Sequence, residues 1–419
     1  MDPIIITLLF LAFAVVMFAT EKIPLGLTSI IICVGFILTG VLDAEVAFSG
    51  FVNSTVILFV ALFVIGGALF ETGVAGDIGG LVTRFAGSER TLIVAIMLIT
   101  GALSSVLSNT GTAAVLIPVA IGISSKSGIS RSKLLMPVAF ASTMGGMFTL
   151  ISTPANMIGQ NALAEIPDLN LSFGFFEFAK IGLPIFILGV LYFAFIAYRF
   201  LPDNKDKLTL DLSQRDDDVP TWRKIGAIVI LILTVVGMIF ENQLGIPLHV
   251  IGVIGAILMV LFRIINDTQA YRSIDLQTIF LFGGTLSLAA ALESTGAGEL
   301  IADTVISLLG QNASPMVLAM VMFLITVLLT NFMSNTATAA LLIPISISIA
   351  LGMNADPRLM VMATIIGTSC TYATPISTPA NVMIIKPGQY KFIDFMKVGL
   401  PLILITTMLV LILLPIIYG

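Results

Sequence analysis

Ser108-Asn109-Thr110-Gly111-Thr112-Ala113-Ala114-Val115-Leu116-Ile117-Pro118 is answered later in the chain by Ser334-Asn335-Thr336-Ala337-Thr338-Ala339-Ala340-Leu341-Leu342-Ile343-Pro344. A second phrase follows each copy at nearly the same distance: Ser152-Thr153-Pro154-Ala155-Asn156, then Ser377-Thr378-Pro379-Ala380-Asn381. Small neutral polar residues, repeated inside apolar sequence, point to a two-fold polar site within a membrane. Ser and Thr in apolar helices also bond back to their own helix or pack between helices. A single copy fits that plainer reading; two copies, each followed by a proline break, fit a site better.

The surrounding composition places the site in a bilayer. Of 419 residues, 58% are hydrophobic and 10% charged, against about 25% charged in a soluble protein. Mean hydropathy is +1.11. This is the composition of an all-α polytopic membrane protein, each span needing ~20 apolar residues. The net charge of −5 says little, because position matters more than sum, and nothing suggests nucleic acid as a partner. Cys33 and Cys370 both lie in apolar sequence and read as small core residues. Residues 4–20 lack a basic leader and read as a first span.

Apolar segments fall near 4–20, 24–42, 55–70, 91–122, 133–163, 174–200, 223–241, 246–263, 276–292, 315–350, 358–386 and 393–418. A polar stretch, 202–221, holds the run Asp216–Asp218 and reads as a solvated linker. It divides the chain into repeats, 1–201 and 222–419. Phe178-Ala179-Lys180-Ile181-Gly182-Leu183-Pro184 echoes Phe395-Met396-Lys397-Val398-Gly399-Leu400-Pro401, and Glu71-Thr72-Gly73 echoes Glu293-Ser294-Thr295-Gly296. With 91–122 and 315–350 read as re-entrant hairpins, each repeat has five crossings and the second is inverted. Seventeen of the nineteen Lys and Arg then share one face, and only Lys180 and Arg358 lie opposite. That bias obeys the positive-inside rule. The expectation is ten crossings, two hairpins, both termini outside a cell membrane, and interfacial amphipathic helices at 74–90 and 297–311.

In each hairpin the second half-helix begins at Ser-Asn-Thr, three good N-cap residues. Helix ends carry roughly half an elementary charge, positive at the N-terminus and negative at the C-terminus. One tip thus offers carbonyl oxygens to a cation and N–H groups to an anion. Pro154 and Pro379 lack an N–H and push Thr153 and Thr378 toward extended backbone. Carbonyls around Ser152 and Ser377 are thereby freed to bind a hard cation such as Na⁺. Segments 91–125, 134–162, 311–350 and 359–385 contain no Lys, Arg or His. A bound dianion therefore lacks a side-chain counter-charge there, and co-bound cations would supply one. The same segments offer a proton antiporter no mid-membrane carboxylate. His249, at a span start, reads as a packing residue and Trp222 as an interface anchor. No nucleophile–base pair or metal-ligand cluster lies in the spans, so an enzyme is not expected, and no cofactor is implied.

These residues resemble the divalent anion/sodium symporter (DASS) family of the ion-transporter superfamily, over essentially the whole chain. The resemblance implies a homodimer whose protomers each join a scaffold (1–72 and 222–293) to a transport domain (91–201 and 311–419) moving as an elevator. It implies one Na⁺ site at Ser104, Ser108, Asn109 and Ser152, and another at Thr330, Met333, Asn335 and Ser377. The substrate's carboxylates would meet Ser108, Asn109, Thr110, Ser334, Asn335 and Thr336, with Thr153 and Thr378 nearby. The family often carries a second proline where this chain has Ala155 and Ala380, which changes the pocket wall. The expected function is import of a small divalent anion, a C4-dicarboxylate, coupled to Na⁺. A sulfate-type carrier, a sodium-independent exchanger and an anion channel are the alternatives.

Overall fold

The computed structural model describes residues 2–20, 22–74, 77, 88–166, 169, 171–203, 219–309, 314–375 and 377–418, which hold helices and irregular backbone but no strand. The first half contributes α1 (Pro3–Thr20), α2 (Leu25–Leu38), α3 (Ser54–Glu71), α4 (Glu89–Ser104), α5 (Asn109–Ser127), α6 (Arg131–Gly145), α7 (Pro154–Ala164) and α8 (Ala179–Phe195). The second contributes α9 (Thr221–Ile239), α10 (Leu248–Leu261), α11 (Leu276–Thr295), α12 (Ala297–Leu309), α13 (Pro315–Thr330), α14 (Asn335–Gly352), α15 (Pro357–Thr368), α16 (Pro379–Gly388) and α17 (Phe392–Tyr418). Helix lengths repeat between the halves: α2 and α10 have 14 residues each, and α4 and α13 have 16 each. Helix α12 falls on the expected interfacial segment 297–311; most of its expected counterpart, 74–90, and most of the 202–221 linker lie outside the described residues.

The run Ala44–Glu71 and helices α9, α11, α14 and α17 are long and apolar enough to cross a bilayer, and seven further apolar helices are shorter. Helices α9 and α17 turn Ile232, Leu233, Leu404, Met408 and Ile416 outward, all more than half exposed. Such ridges suit acyl chains and make this a multi-pass membrane protein.

Three buried apolar cores organise the helices. One joins α1, α2 and α11 through Ala14, Phe18, Ile32, Phe36, Leu288 and Leu292. Another joins α3, α9 and α10 through Ile65, Leu69, Ala227, Ile230 and Met259. The largest is built mainly from α4–α8 and α13–α17. The two Ser-Asn-Thr turns are held at the seams: Leu107 enters the α3 core and Met333 the α1 core.

The halves interlock within the largest core. Helix α7 packs on α14 and α15, while α16 packs on α5 and α6. The buried Tyr390 hydroxyl accepts from the Met136 N–H (2.9 Å) and donates to the Ser132 carbonyl. The Tyr192 hydroxyl donates to the Val398 carbonyl at 2.9 Å.

Segments 133–163 and 358–386 are each split by irregular, largely buried backbone, 146–153 in the first and 369–375 with 377–378 in the second. The irregular backbone starts eight residues before Pro154, so the proline is not its only cause. Glycines let neighbouring helices approach these breaks: a Cβ at Gly182 would lie 2.1 Å from the Met147 carbonyl oxygen, and one at Gly399 2.0 Å from that of Tyr372. The repeated Gly-Leu-Pro phrase therefore marks where α8 and α17 press on the two breaks. Gly182→Ala and Gly399→Ala should each cost roughly 1–3 kcal/mol by overpacking, read as a lowered melting temperature of the purified protein. Gly122→Ala, with nothing within 4 Å of its Cβ, should not.

Candidate functional site

The two breaks are the same structure built twice. Ser108 and Ser334 hold extended backbone (φ −63° in both) and cap α5 and α14, their hydroxyls accepting from the N–H groups of Gly111 and Ala337 at 3.1 and 3.2 Å. Thr153 and Thr378 do the same for α7 and α16, accepting from the Asn156 and Asn381 N–H groups at 3.3 and 3.2 Å. Capping satisfies one orphan donor per helix.

Inside each break, an asparagine and a serine bind the backbone that lost its helical partners. Asn156 Nδ2 donates to the Gly146 and Thr149 carbonyls at 3.0 and 2.9 Å, and Asn381 Nδ2 to those of Thr371 and Thr374 at 2.8 and 3.0 Å. The Ser152 and Ser377 hydroxyls bond the same carbonyl pairs, at 2.6 and 2.8 Å and at 3.0 and 3.1 Å. Buried carbonyls without donors are costly, so these four side chains are what make irregular backbone tolerable here. Asn156 Oδ1 and Asn381 Oδ1 are themselves buried acceptors with no hydrogen-bond partner among the described residues.

Of the four residues expected at the first ion site, the structure joins Ser104 and Asn109 directly. Ser104 Oγ lies 3.0 Å from Asn109 Oδ1 and 2.6 Å from the Ser142 carbonyl oxygen. A Cβ at Gly146 would touch both the Asn109 amide oxygen (2.4 Å) and Thr153 Cγ2 (2.7 Å). Ser104, Asn109, Gly146 and Thr153 thus converge, with the Ser152 hydroxyl bound to the Gly146 carbonyl. Every side-chain donor atom in this set is an oxygen or an amide, which fits a hard cation such as Na⁺.

The second copy is arranged differently. Thr330 Oγ1 donates to the Thr368 carbonyl at 3.0 Å, matching Ser104, but Asn335 Oδ1 accepts from the Thr336 N–H at 3.0 Å and not from Thr330. Met333 is buried, 2% exposed. Asn331 binds this break: its Nδ2 donates to the Cys370 carbonyl (2.9 Å) and its Oδ1 accepts from the Ala373 N–H (3.0 Å). The first half has Ser105 at the matching position, its carbonyl accepting from Thr149 Oγ1.

Exposure separates the copies further: Ser108 and Thr110 are exposed, whereas Ser334, Asn335 and Thr336 are half-buried. A cavity of about 290 Å³ opens at the first copy, between Phe59, Phe63 and Phe70 of α3 and Ser108, Ser152 and Pro154, with Glu71 and Arg272 also on its wall. Asn109, Thr110, Thr153 and the second copy are not among the residues that line it. A second cavity, about 400 Å³, carries Glu165, Glu293, Glu299 and Asp303. Four carboxylates make it unfavourable for an anion.

A helical membrane fold with buried broken helices and a polar, oxygen-rich site defines a secondary transporter. The family model described as "Citrate transporter" matches residues 15–367, and the chain belongs to that family. It is a transporter of the divalent anion/sodium symporter type, not an enzyme. Among curated relatives it is similar to an uncharacterized transporter of Haemophilus influenzae, with 29% identity over 96% of this chain and 89% of that one. It is similar to YfbS of Escherichia coli, an uncharacterized transporter, with 24% identity over 97% and 98%. It is similar to the sodium-dependent dicarboxylate transporter SdcS of Staphylococcus aureus, with 25% identity over 96% and 84%. Among solved structures, the YdaH transporter of Alcanivorax borkumensis aligns over 99% of this chain and 98% of its own, with TM-score 0.65 and 16% identity, a likeness of fold.

Asn156→Leu and Asn381→Leu each remove the two amide donors from one break and leave its carbonyl pair to the single hydroxyl proton of Ser152 or Ser377, orphaning one buried carbonyl at roughly 1–3 kcal/mol. Each should lower thermal stability and speed amide hydrogen exchange in its own break.

Proposed function

We propose that this protein is a secondary active transporter that imports a small divalent anion, a C4-dicarboxylate, together with Na⁺. The single observation that supports this most is the duplicated break, with capped helix N-termini beside neutral Ser, Thr and Asn side chains and no Lys, Arg or His in the membrane segments that build it. An anion at such a site needs a co-bound cation to balance it. The printed name of the SdcS relatives supports the same ion and substrate class.

In this reading Asn109 and Asn335 bridge the two ligands, each amide oxygen facing Na⁺ and each N–H₂ facing a carboxylate. Ser104, Ser108 and Ser152 complete the first cation site; Thr330, Met333 and Ser377 complete the second after Asn335 turns away from the Thr336 N–H. The repeats are inverted, both termini lie outside, and two copies associate through scaffolds formed by 1–72 and 222–293. The transport domain, 91–201 and 311–419, moves across them as an elevator.

The family's description favours a second reading, a tricarboxylate such as citrate. A thermal-shift panel decides between them: succinate, citrate and sulfate, each in Na⁺, Li⁺ or choline. A ligand that binds only the folded state stabilises it, by about 2.7 kcal/mol at a hundred times its Kd. Succinate should raise the melting temperature in Na⁺ and not in choline. A shift with citrate alone would move the substrate to the tricarboxylate, and equal shifts in choline would remove Na⁺ coupling. Asn109→Ala and Asn335→Ala should each weaken succinate and Na⁺ binding together, by at least about tenfold for a charge-assisted hydrogen bond. Loss of only one ligand would refute the bridge.

A further inference from the structure

The cavity at the first Ser-Asn-Thr copy has a feature the tips lack. Arg272 lies on its wall together with Ser108 and Ser152. It belongs to the short helix Asp267–Ser273, which packs against α3. That helix is held firmly in place. Asn266 and Gln269 form a reciprocal capping box, with bonds of 2.8 and 2.9 Å. Ser273 Oγ donates to the Gln269 carbonyl at 2.8 Å and sits where a Cβ on Gly67 would be, 1.9 Å away. A side chain larger than hydrogen at position 67 would push this helix off α3.

The charged residues on that wall are one of each sign, Glu71 and Arg272. Glu71 is the one acid lining the cavity. One of its carboxylate oxygens, Oε2, accepts from Gln269 Nε2 at 2.8 Å, and no ion pair joins it to Arg272 among the described residues. The exposed Arg272 guanidinium makes no hydrogen bond or ion pair among the described residues. A planar fork of five donors, positioned on a rigid element and unspent, faces the cavity in which Ser108 is exposed. Arginine in that state is matched to carboxylate and other oxyanions.

We propose that Arg272 is an anion receptor on the wall opposite the break, which pairs with the dianion beside the Ser108 tip on the basic face, where an imported anion leaves the site. The inference rests on the transport reading above and adds a residue to it. The guanidinium supplies the compensating positive charge that the membrane segments lack. The attraction between an exposed guanidinium and a dianion is strongest at low salt and is screened as salt rises.

The test is equilibrium binding of succinate, citrate and sulfate to purified protein at fixed Na⁺, with choline chloride raised in steps. Wild-type affinity should fall with salt. R272Q should bind roughly tenfold more weakly at low salt, with a flattened salt dependence. R272K should recover much of both, because it restores the charge. Succinate should lose more than its monomethyl ester, which carries one charge fewer; a general lesion in the fold would weaken both alike. Wild type that binds none of the three anions overturns the transport reading itself. Wild type that binds, with no salt dependence or with R272Q equal to it, overturns the role of Arg272 alone.

Discussion

Backbone that leaves a helix inside a bilayer must find partners within the protein, and two stretches of this chain do so, 146–153 in the first half and 369–375 with 377–378 in the second. In each, one asparagine amide and one serine hydroxyl clasp the same pair of carbonyls. A lost carbonyl partner in such a place costs more than a surface hydrogen bond, because no water is at hand. Once those carbonyls are held, the chain can end one helix, cross a few residues of extended backbone and start another at a capped threonine. That start is what brings helix N-termini and free oxygens together in an apolar protein. The close passes of Gly182 and Gly399 over the breaks, and the crosswise packing of α7 on α14 and α16 on α5, follow from having two such breaks to enclose.

The duplication is close in the bonds that hold the backbone and loose in the bonds that face a ligand. Caps, carbonyl clasps and the Ser104 and Thr330 bonds repeat within a few tenths of an ångström. By contrast Asn109 is tied to Ser104, whereas Asn335 is tied to its own helix. Asn331 braces only the second break. A repeat conserves what the fold needs at both positions and is free to vary where each copy meets a different neighbour. The first copy is open to a cavity and the second is half-covered, so their ligand-facing side chains lie in different surroundings.

Much of this was legible in the sequence, because capping and proline chemistry act within a few residues. Ser108, Ser334, Thr153 and Thr378 sit where N-cap preference puts them, and the helices begin at the residues that follow. The split of segments 133–163 and 358–386 was likewise signalled by Pro154 and Pro379. What spacing could not reveal were contacts across the chain. Asn156 and Asn381 end the two repeated phrases, yet nothing local says that their amides reach back seven and ten residues to the carbonyls. Asn331 reaches forward some forty residues. Arg272 counted in the sequence only as one more charge on the basic face; its place beside Ser108 depends on how a seven-residue helix docks on α3.

The central claim is that one site, built on the two breaks, holds anion and cation together. Linkage makes that claim quantitative, since two ligands that stabilise each other must each tighten the other's binding by the same factor. The decisive measurement is the Kd of the purified protein for succinate as Na⁺ is varied at constant ionic strength with choline. The account predicts that log Kd falls steadily as log Na⁺ rises, and that the slope shrinks in Asn109→Ala. A Kd that stays flat across the Na⁺ range while succinate still binds would contradict it.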